Sequence, residues 1–315
     1  MDDTLEIFQF LQQSASAGEA VALVTVTDVT GGSTRNPGAH MGVAANGDFR
    51  GSLSGGCIEA EVVNQALAAM ETGKPRALRY GQGSPFFDIR LPCGGSVDVL
   101  ITPISDPDPL NAIAKTLAGR QPVGFTLFRD EGGIALALAR DGAHAAWDDA
   151  GFSVNHPPPL KLCILGHGAS VEALFNLAQA SAIECTVLTP DRDIIEKLAA
   201  RGQQAIELKS LDQAPPFDVD RWTACIFLFH DHEWDAVLIP RILEQNPFFI
   251  GAMGSRKTAA ARRDYLIAAG VDPTQVERLH GPIGLVPSSR NPRMLALSVL
   301  TQAASEYDQM IRPTG

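Results

Sequence analysis

The stretch GSLSGGCIEAEVV, Gly51 to Val63, sets two glycines and a thiol directly before a segment with helical periodicity. Gly55 and Gly56 permit positive φ and let a ligand come close to the backbone. Cys57 falls at the start of the helix and is followed by Glu59 and Glu61. Backbone N–H groups at such a start lack partners within the helix and can hold an anion such as a phosphate. The same position lowers the pKa of a thiol, an effect that Glu59 and Glu61 oppose. A second stretch, LPCGGSVDVL, places Cys93 before Gly94 and Gly95 at the entry to an apolar strand. If the two loops meet, they make a small site with two thiols and much exposed backbone. The alternative is that the glycines only make turns and the cysteines are small buried hydrophobes. Recurrence of the same three residue types favours the shared site. Arg35, just before the Pro37-Gly38 turn, is either a plain loop arginine or a partner for an anionic ligand group.

The second half of the chain offers weaker signals. GHGASVEALF carries Gly166 and Gly168 in the G-x-G arrangement of a dinucleotide-binding turn, but Val171 stands where the third glycine belongs. FHDHEWD supplies His230, Asp231, His232, Glu233 and Asp235 after an apolar strand. These residues can line a ligand crevice, or simply begin an acid-rich helix. GSRKTAAARR puts Ser255, Arg256 and Lys257 at a strand-to-helix turn, a composition suited to phosphate or to a solvated helix start. No structural zinc site is expected, because Cys57 and Cys93 are far apart and no CxxC accompanies them. A thiol protease would need a base, and no family signature surrounds His40, His144 or His156.

The elements that must position these residues divide near residue 155. Pro157 to Pro159 favour an extended linker. KLCILG, the glycine turn, VEALFNLAQAS and ECTVLT then read as strand, helix, strand. WTACIFLF and FFIGAM continue the pattern, so residues 156–315 are expected to form a Rossmann-like, doubly wound parallel sheet. Residues 1–155 are expected to form an α+β domain with a mixed or antiparallel sheet. AVALVTVTDVT and HMGVAANGDFRGSL are strands with an Asn46-Gly47 hairpin turn, and Glu59 to Glu71 is a helix. Cys163, Cys185 and Cys225 lie in apolar strands and are expected in the core.

The chain has 315 residues, enough for two domains, and a net charge of −11. That acidity argues against nucleic acid or anionic membrane as a partner. No apolar run reaches membrane-spanning length, and the start MDDTLEIFQFLQQ reads as an amphipathic helix. Five scattered cysteines do not make a disulfide framework, so a cytoplasmic protein with reduced thiols is expected.

STRNPGAHMGVAANGDFRGSLSGGCIEAEVV followed by LPCGGSVDVLITPI resembles the N-terminal domain of the xanthine dehydrogenase accessory proteins of the XdhC/CoxI type. FFIGAMGSRKTAAARRDYLIAAGV, VERLHGPIGL and NPRMLALSVLTQ resemble the closing part of the same family's Rossmann domain. The resemblance implies a molybdenum-cofactor maturation factor, more a chaperone than a turnover enzyme. It would carry a molybdopterin-type cofactor as cargo, support its sulfuration, and help insert it into a molybdenum hydroxylase apo-enzyme. A cysteine desulfurase would be a second partner, and the protein would be a homodimer. Cys93 lies in the more typical family motif, and the glycine loops would face the Rossmann crevice. The family usually has an acid where Thr189 stands; Asp191 could substitute for it at a ribose. The alternative function is an NAD(P)-dependent oxidoreductase with an N-terminal substrate domain.

Overall fold

A computed structural model describes residues 3–32, 35–84, 94–140, 142–211, 215–230 and 233–312. The chain divides into two compact units, one ending at Pro158 and the other beginning at Pro159.

The first unit opens with α1 (Thr4–Ser16), whose buried face is Thr4, Ile7, Phe8 and Leu11. A five-stranded sheet follows, built from β1 (Val21–Thr30), β2 (His40–Ala44), β3 (Phe49–Gly51), β4 (Arg76–Gly81) and β5 (Ser96–Ile104), in the order β3-β2-β1-β5-β4. Gly47, at φ 87°, makes the turn between β2 and β3 that a side chain would strain. Between β3 and β4, α2 (Glu59–Thr72) crosses one face of the sheet. The alternation of β1 explains how both faces are filled. Val21 and Leu23 point toward α1, while Ala22, Val24 and Val26 point toward Val62, Ala66 and Ala69 of α2.

The rest of the unit is α3 (Asp108–Ala118) and a second sheet made of β6 (Val123–Leu127), β7 (Ile134–Ala137), β8 (His144–Trp147) and β9 (Phe152–His156). Its order is β7-β6-β9-β8. Every pair in both sheets is antiparallel, the second of the two arrangements expected. The reason is topological. α2 carries the chain from one edge strand, β3, to the other, β4, so the two strands sharing a direction across the helix are never neighbours.

The second unit is a six-stranded sheet, every pair parallel, in the order β12-β11-β10-β13-β14-β15. Its strands are β10 (Lys161–Gly166), β11 (Glu184–Thr189), β12 (Ala205–Glu207), β13 (Thr223–Leu228), β14 (Phe249–Ala252) and β15 (Leu279–His280). This is the doubly wound order of a Rossmann fold, with its switch between β10 and β13. α4 (Ala169–Ala180) and α9 (Pro292–Ile311) share one core with Leu162 and Ile164. α6 (Glu233–Glu244) and α7 (Arg256–Ala268) share the other with Cys163 and Leu165. α5 (Arg192–Ala199) and α8 (Pro273–Glu277) complete the connections. Cys163 and Cys225 are register partners within the core, but Cys185 is only half-buried and takes a hydrogen bond from Gln179.

Candidate functional site

Strand directions send three loops out of the five-stranded sheet at one end. They follow β1, β3 and β4, and their described residues are 31–32 and 35–39, 52–58, and 82–84 with 94–95. The ladder with β2 stops at Thr25, whereas that with β5 continues to Thr30, so the three loops leave at different heights. Contacts join them nonetheless. Gly95 packs so closely on the end of β1 that an added Cβ would lie 2.2 Å from the Thr30 carbonyl oxygen. Arg35, on the first loop, donates from Nε to the Ser52 carbonyl at 2.7 Å on the second.

The 52–58 loop is organised around one carboxylate. Glu59 Oε1 accepts from Ser52 Oγ at 2.8 Å, Leu53 N at 3.0 Å and Ser54 N at 2.9 Å. Its Oε2 accepts from Ser54 Oγ at 2.9 Å, Gly56 N at 2.9 Å and Ile58 N at 3.1 Å. Gly55 N and Cys57 N donate to the hydroxyls of Ser52 and Ser54. Burial pushes the Glu59 carboxyl up, but hydrogen bonds from Ser54, Ser52 and Leu53 outweigh this and bring it down to about 2.

This geometry corrects two expectations. The N–H groups at the entry to α2 do not stand ready for a phosphate, because the chain's own Glu59 fills the place of the anion. Glu59 is therefore not a contact for cargo but the staple that shapes the loop. The staple leaves Cys57 exposed, and any Cβ added at Gly55 or Gly56 would meet nothing within 4 Å. Both glycines have positive φ, 79° and 109°. The open, thiol-bearing rim is thus formed by Gly55, Gly56 and Cys57.

Arg35 is also corrected. It is not an exposed cation awaiting a ligand, since its Nη2 pairs with Asp3 Oδ2 at 2.6 Å and only 22% of its side chain is accessible. Gly94, at φ 69°, has nothing within 4 Å of an added Cβ, whereas Gly95, directly before β5, serves the close packing on Thr30. Cys93 lies outside the described residues, as does Asp231. His40 is no base for Cys57. It is buried, its Nδ1 lies 2.8 Å from Thr25 Oγ1, and its Nε2 lies 2.9 Å from His156 Nε2.

In the second unit, Gly166 closes β10 against Leu228, whose backbone would lie 2.8 Å from an added Cβ. Gly168 opens α4 at φ 76° in clear space, but its N–H is taken by Asp191 Oδ2 at 3.2 Å. The other Asp191 oxygen caps α5 through Asp193 N. Asp191 is therefore a cap and a turn clamp, not a free acid for a ribose, and Thr189 is wholly buried. At the switch point the His167 ring lies 5.4 Å from that of His230. Among the described residues no cluster of three metal-ligating side chains occurs. Ser255 caps α7 by accepting from Thr258 N, and Arg256 and Lys257 are exposed. Among the described residues no helix is long and apolar enough to cross a membrane.

Sequence reasoning missed the roles of Glu59 and of the buried Asp235–Arg262 pair. Serines at 52 and 54 ahead of an acid at a helix start were the available signal for the first.

Residues 14–81 match the XdhC and CoxI family, and residues 162–303 match the XdhC Rossmann domain. The molybdenum cofactor insertion chaperone PaoD of Escherichia coli is 32% identical over 99% of this chain and 93% of its own length. A protein of Bacillus subtilis described as a probable xanthine dehydrogenase subunit is 22% identical, over 90% of this chain and 92% of its own. A crystal structure described as a xanthine dehydrogenase from Bacillus halodurans shares the fold. Its TM-score is 0.74 at 22% identity, covering 100% of this chain and 97% of that one. Both family signatures in their proper order, joined by identity along nearly the whole sequence, place this chain in the XdhC/CoxI family.

Proposed function

We propose that the chain binds a molybdopterin-type molybdenum cofactor as cargo and supports its maturation and insertion into an apo molybdenum hydroxylase of the xanthine dehydrogenase type. The reading is supported by the likeness to a molybdenum cofactor insertion chaperone along 99% of the chain. The observation that carries it chemically is the exposed Cys57, presented by a loop whose own donors are already satisfied. A thiol is a soft ligand suited to molybdenum and to sulfur, and the bare glycines beside it admit a large flat group. Cys93, in the neighbouring loop, is proposed as the second thiol. Sulfuration of the bound cofactor, with a cysteine desulfurase as the sulfur source, belongs to the same proposal, as does a cytoplasmic setting that keeps the thiols reduced. In the second unit, Ser255, Arg256 and Lys257 are proposed as an anion contact. The dinucleotide alternative is not retained, because Asp191 sets a carboxylate on the Gly168 N–H that a pyrophosphate would need.

The test is retention of cargo. The purified full chain is mixed anaerobically with cofactor released from a molybdoenzyme and passed through a gel-filtration column, and the co-eluting pterin is measured by the fluorescence of its oxidised form. Near-equimolar retention is expected, with binding roughly tenfold weaker in Cys57→Ala and in Cys93→Ala. A wild-type chain that retains no pterin sinks the proposal.

A further inference from the structure

We propose that the outer face of the four-stranded sheet carries a binding site for a small hydroxycarboxylate, held by Arg140 and His144 and recognised through the hydroxyl of Thr126. The proposal is independent of the cargo reading, and its residues lie between the two stretches that match the family.

The strand order creates the site. β7 and β8 follow one another along the chain but stand at opposite edges of the sheet β7-β6-β9-β8. Their link must therefore cross over one face. Phe125 and Val154 belong to the core on the inner face, so the alternation turns Gly124, Thr126, Ser153 and Asn155 to the outer one. His144, the register partner of Asn155 on β8, shares that face. The link crosses there. Gly124 makes room for it, since an added Cβ would lie 2.9 Å from the Leu138 carbonyl oxygen. Asn155, only 3% accessible, ties it down. Its Oδ1 accepts from Arg140 N at 2.8 Å, and its Nδ2 donates to the carbonyl oxygens of Arg140, at 2.9 Å, and Gly142. These bonds all go to backbone, so they leave the Arg140 side chain to a cavity of about 270 Å³ beside the link.

The polar groups of the cavity define the ligand. Arg140, His144, Asp148, Thr126 and Ser153 line it. Among the described residues, the Arg140 guanidinium and the His144 ring make no hydrogen bond or ion pair. Asp148 is already committed. Its Oδ2 accepts from Ser153 Oγ, and its Oδ1 accepts from Ala150 N at 2.9 Å and Gly151 N at 3.1 Å. The Ser153 hydrogen bond, those from the backbone and the charge of Arg140 hold the carboxyl below its ordinary range, so it stays an acceptor. The guanidinium fork is therefore open to an external carboxylate, whose planar geometry it matches. Asp148 also orders the hydroxyls. Ser153 gives its proton to Asp148, so Thr126 Oγ1, 3.0 Å from Ser153 Oγ, must be the donor in that contact. Thr126 Oγ1 then keeps acceptor capacity alone, which suits a ligand hydroxyl that donates. The cavity is smaller than the ~300–1,000 Å³ that drug-sized molecules occupy, which restricts the ligand to a small organic acid.

Saturation-transfer NMR titration of the full chain with lactate, with propionate, which lacks the hydroxyl, and with inorganic phosphate as competitor tests this. Lactate is expected to bind saturably with a millimolar Kd, and propionate roughly three- to tenfold more weakly. Arg140→Gln, which keeps the backbone bonds to Asn155, is expected to weaken both acids roughly tenfold, and His144→Gln to weaken both as well. Thr126→Val is expected to weaken lactate alone and so abolish its advantage over propionate. Far-UV circular dichroism checks that the variants keep the fold. Absence of saturable lactate binding to the wild-type chain overturns the proposal, as does binding indifferent to Arg140→Gln. Propionate binding as tightly as lactate overturns the role given to Thr126. Phosphate that binds more tightly than lactate overturns the assignment to a carboxylate.

Discussion

A carboxylate that accepts six hydrogen bonds from the loop just before it acts as part of the backbone scaffold. Glu59 does so, and the consequence is a defined pH dependence. Its folded pKa is about 2 against an ordinary 4.5, so the unfolded chain takes up the proton first as pH falls. The stabilisation is fully present above pH 4.5 and is lost as the pH drops toward 2, with a size of about 3 kcal/mol. Glu59→Gln turns an amide toward N–H donors and strands several of them. Urea unfolding of the first unit should show the variant about 2–3 kcal/mol less stable at pH 7, with the gap closing as the pH falls below 4.5. A gap that stays constant down to pH 3 would mean that the carboxylate is not held as described. Its position at the start of α2 was legible from periodicity, but its role was not. A sequence displays the acid and the donors without showing that the chain folds back so that they meet.

At the scale of elements, α6 and α7 are joined by a buried ion pair. Arg262 donates from Nε to Asp235 Oδ2 at 2.9 Å and from Nη2 to the Met253 carbonyl oxygen at 3.0 Å, and both charged side chains are almost wholly inaccessible. The pair fixes α7, whose first turn carries Ser255, Arg256 and Lys257, against α6. Asp235→Asn leaves a guanidinium buried without its counter-charge, which costs about 3–5 kcal/mol. Thermal unfolding of the second unit should register that loss, and a change under about 1 kcal/mol would show that the pair is dispensable. Arg262 lies in a segment that reads as a solvated, cationic helix, so its burial was not apparent. Strands and helices themselves were plain where one period dominates. KLCILG is β10, and the expected helix from Glu59 to Glu71 is α2 to within one residue. An antiparallel sheet in the first unit was one of two readings, but its strand order was not plain, because neighbours in that sheet are set by where α2 returns the chain.

At the scale of the whole molecule, each unit encloses its own pair of hydrophobic cores, and the chain passes from one to the other between Pro158 and Pro159. Residues 159–315 expressed alone should therefore unfold cooperatively, with the far-UV spectrum of an α/β domain. A fragment that lacks a cooperative transition would refute that independence. The sequence by itself determined the family, the two-part organisation and the parallel character of the second sheet, because hydrophobic period, glycine turns and proline runs act locally along the chain. Only the tertiary structure decided that Glu59 occupies its own anion nest, that Arg35 answers to Asp3, and that Asp191 closes the Gly168 turn. Each of these depends on which groups distant or folded-back segments bring within hydrogen-bonding distance, and local spacing carries no record of that.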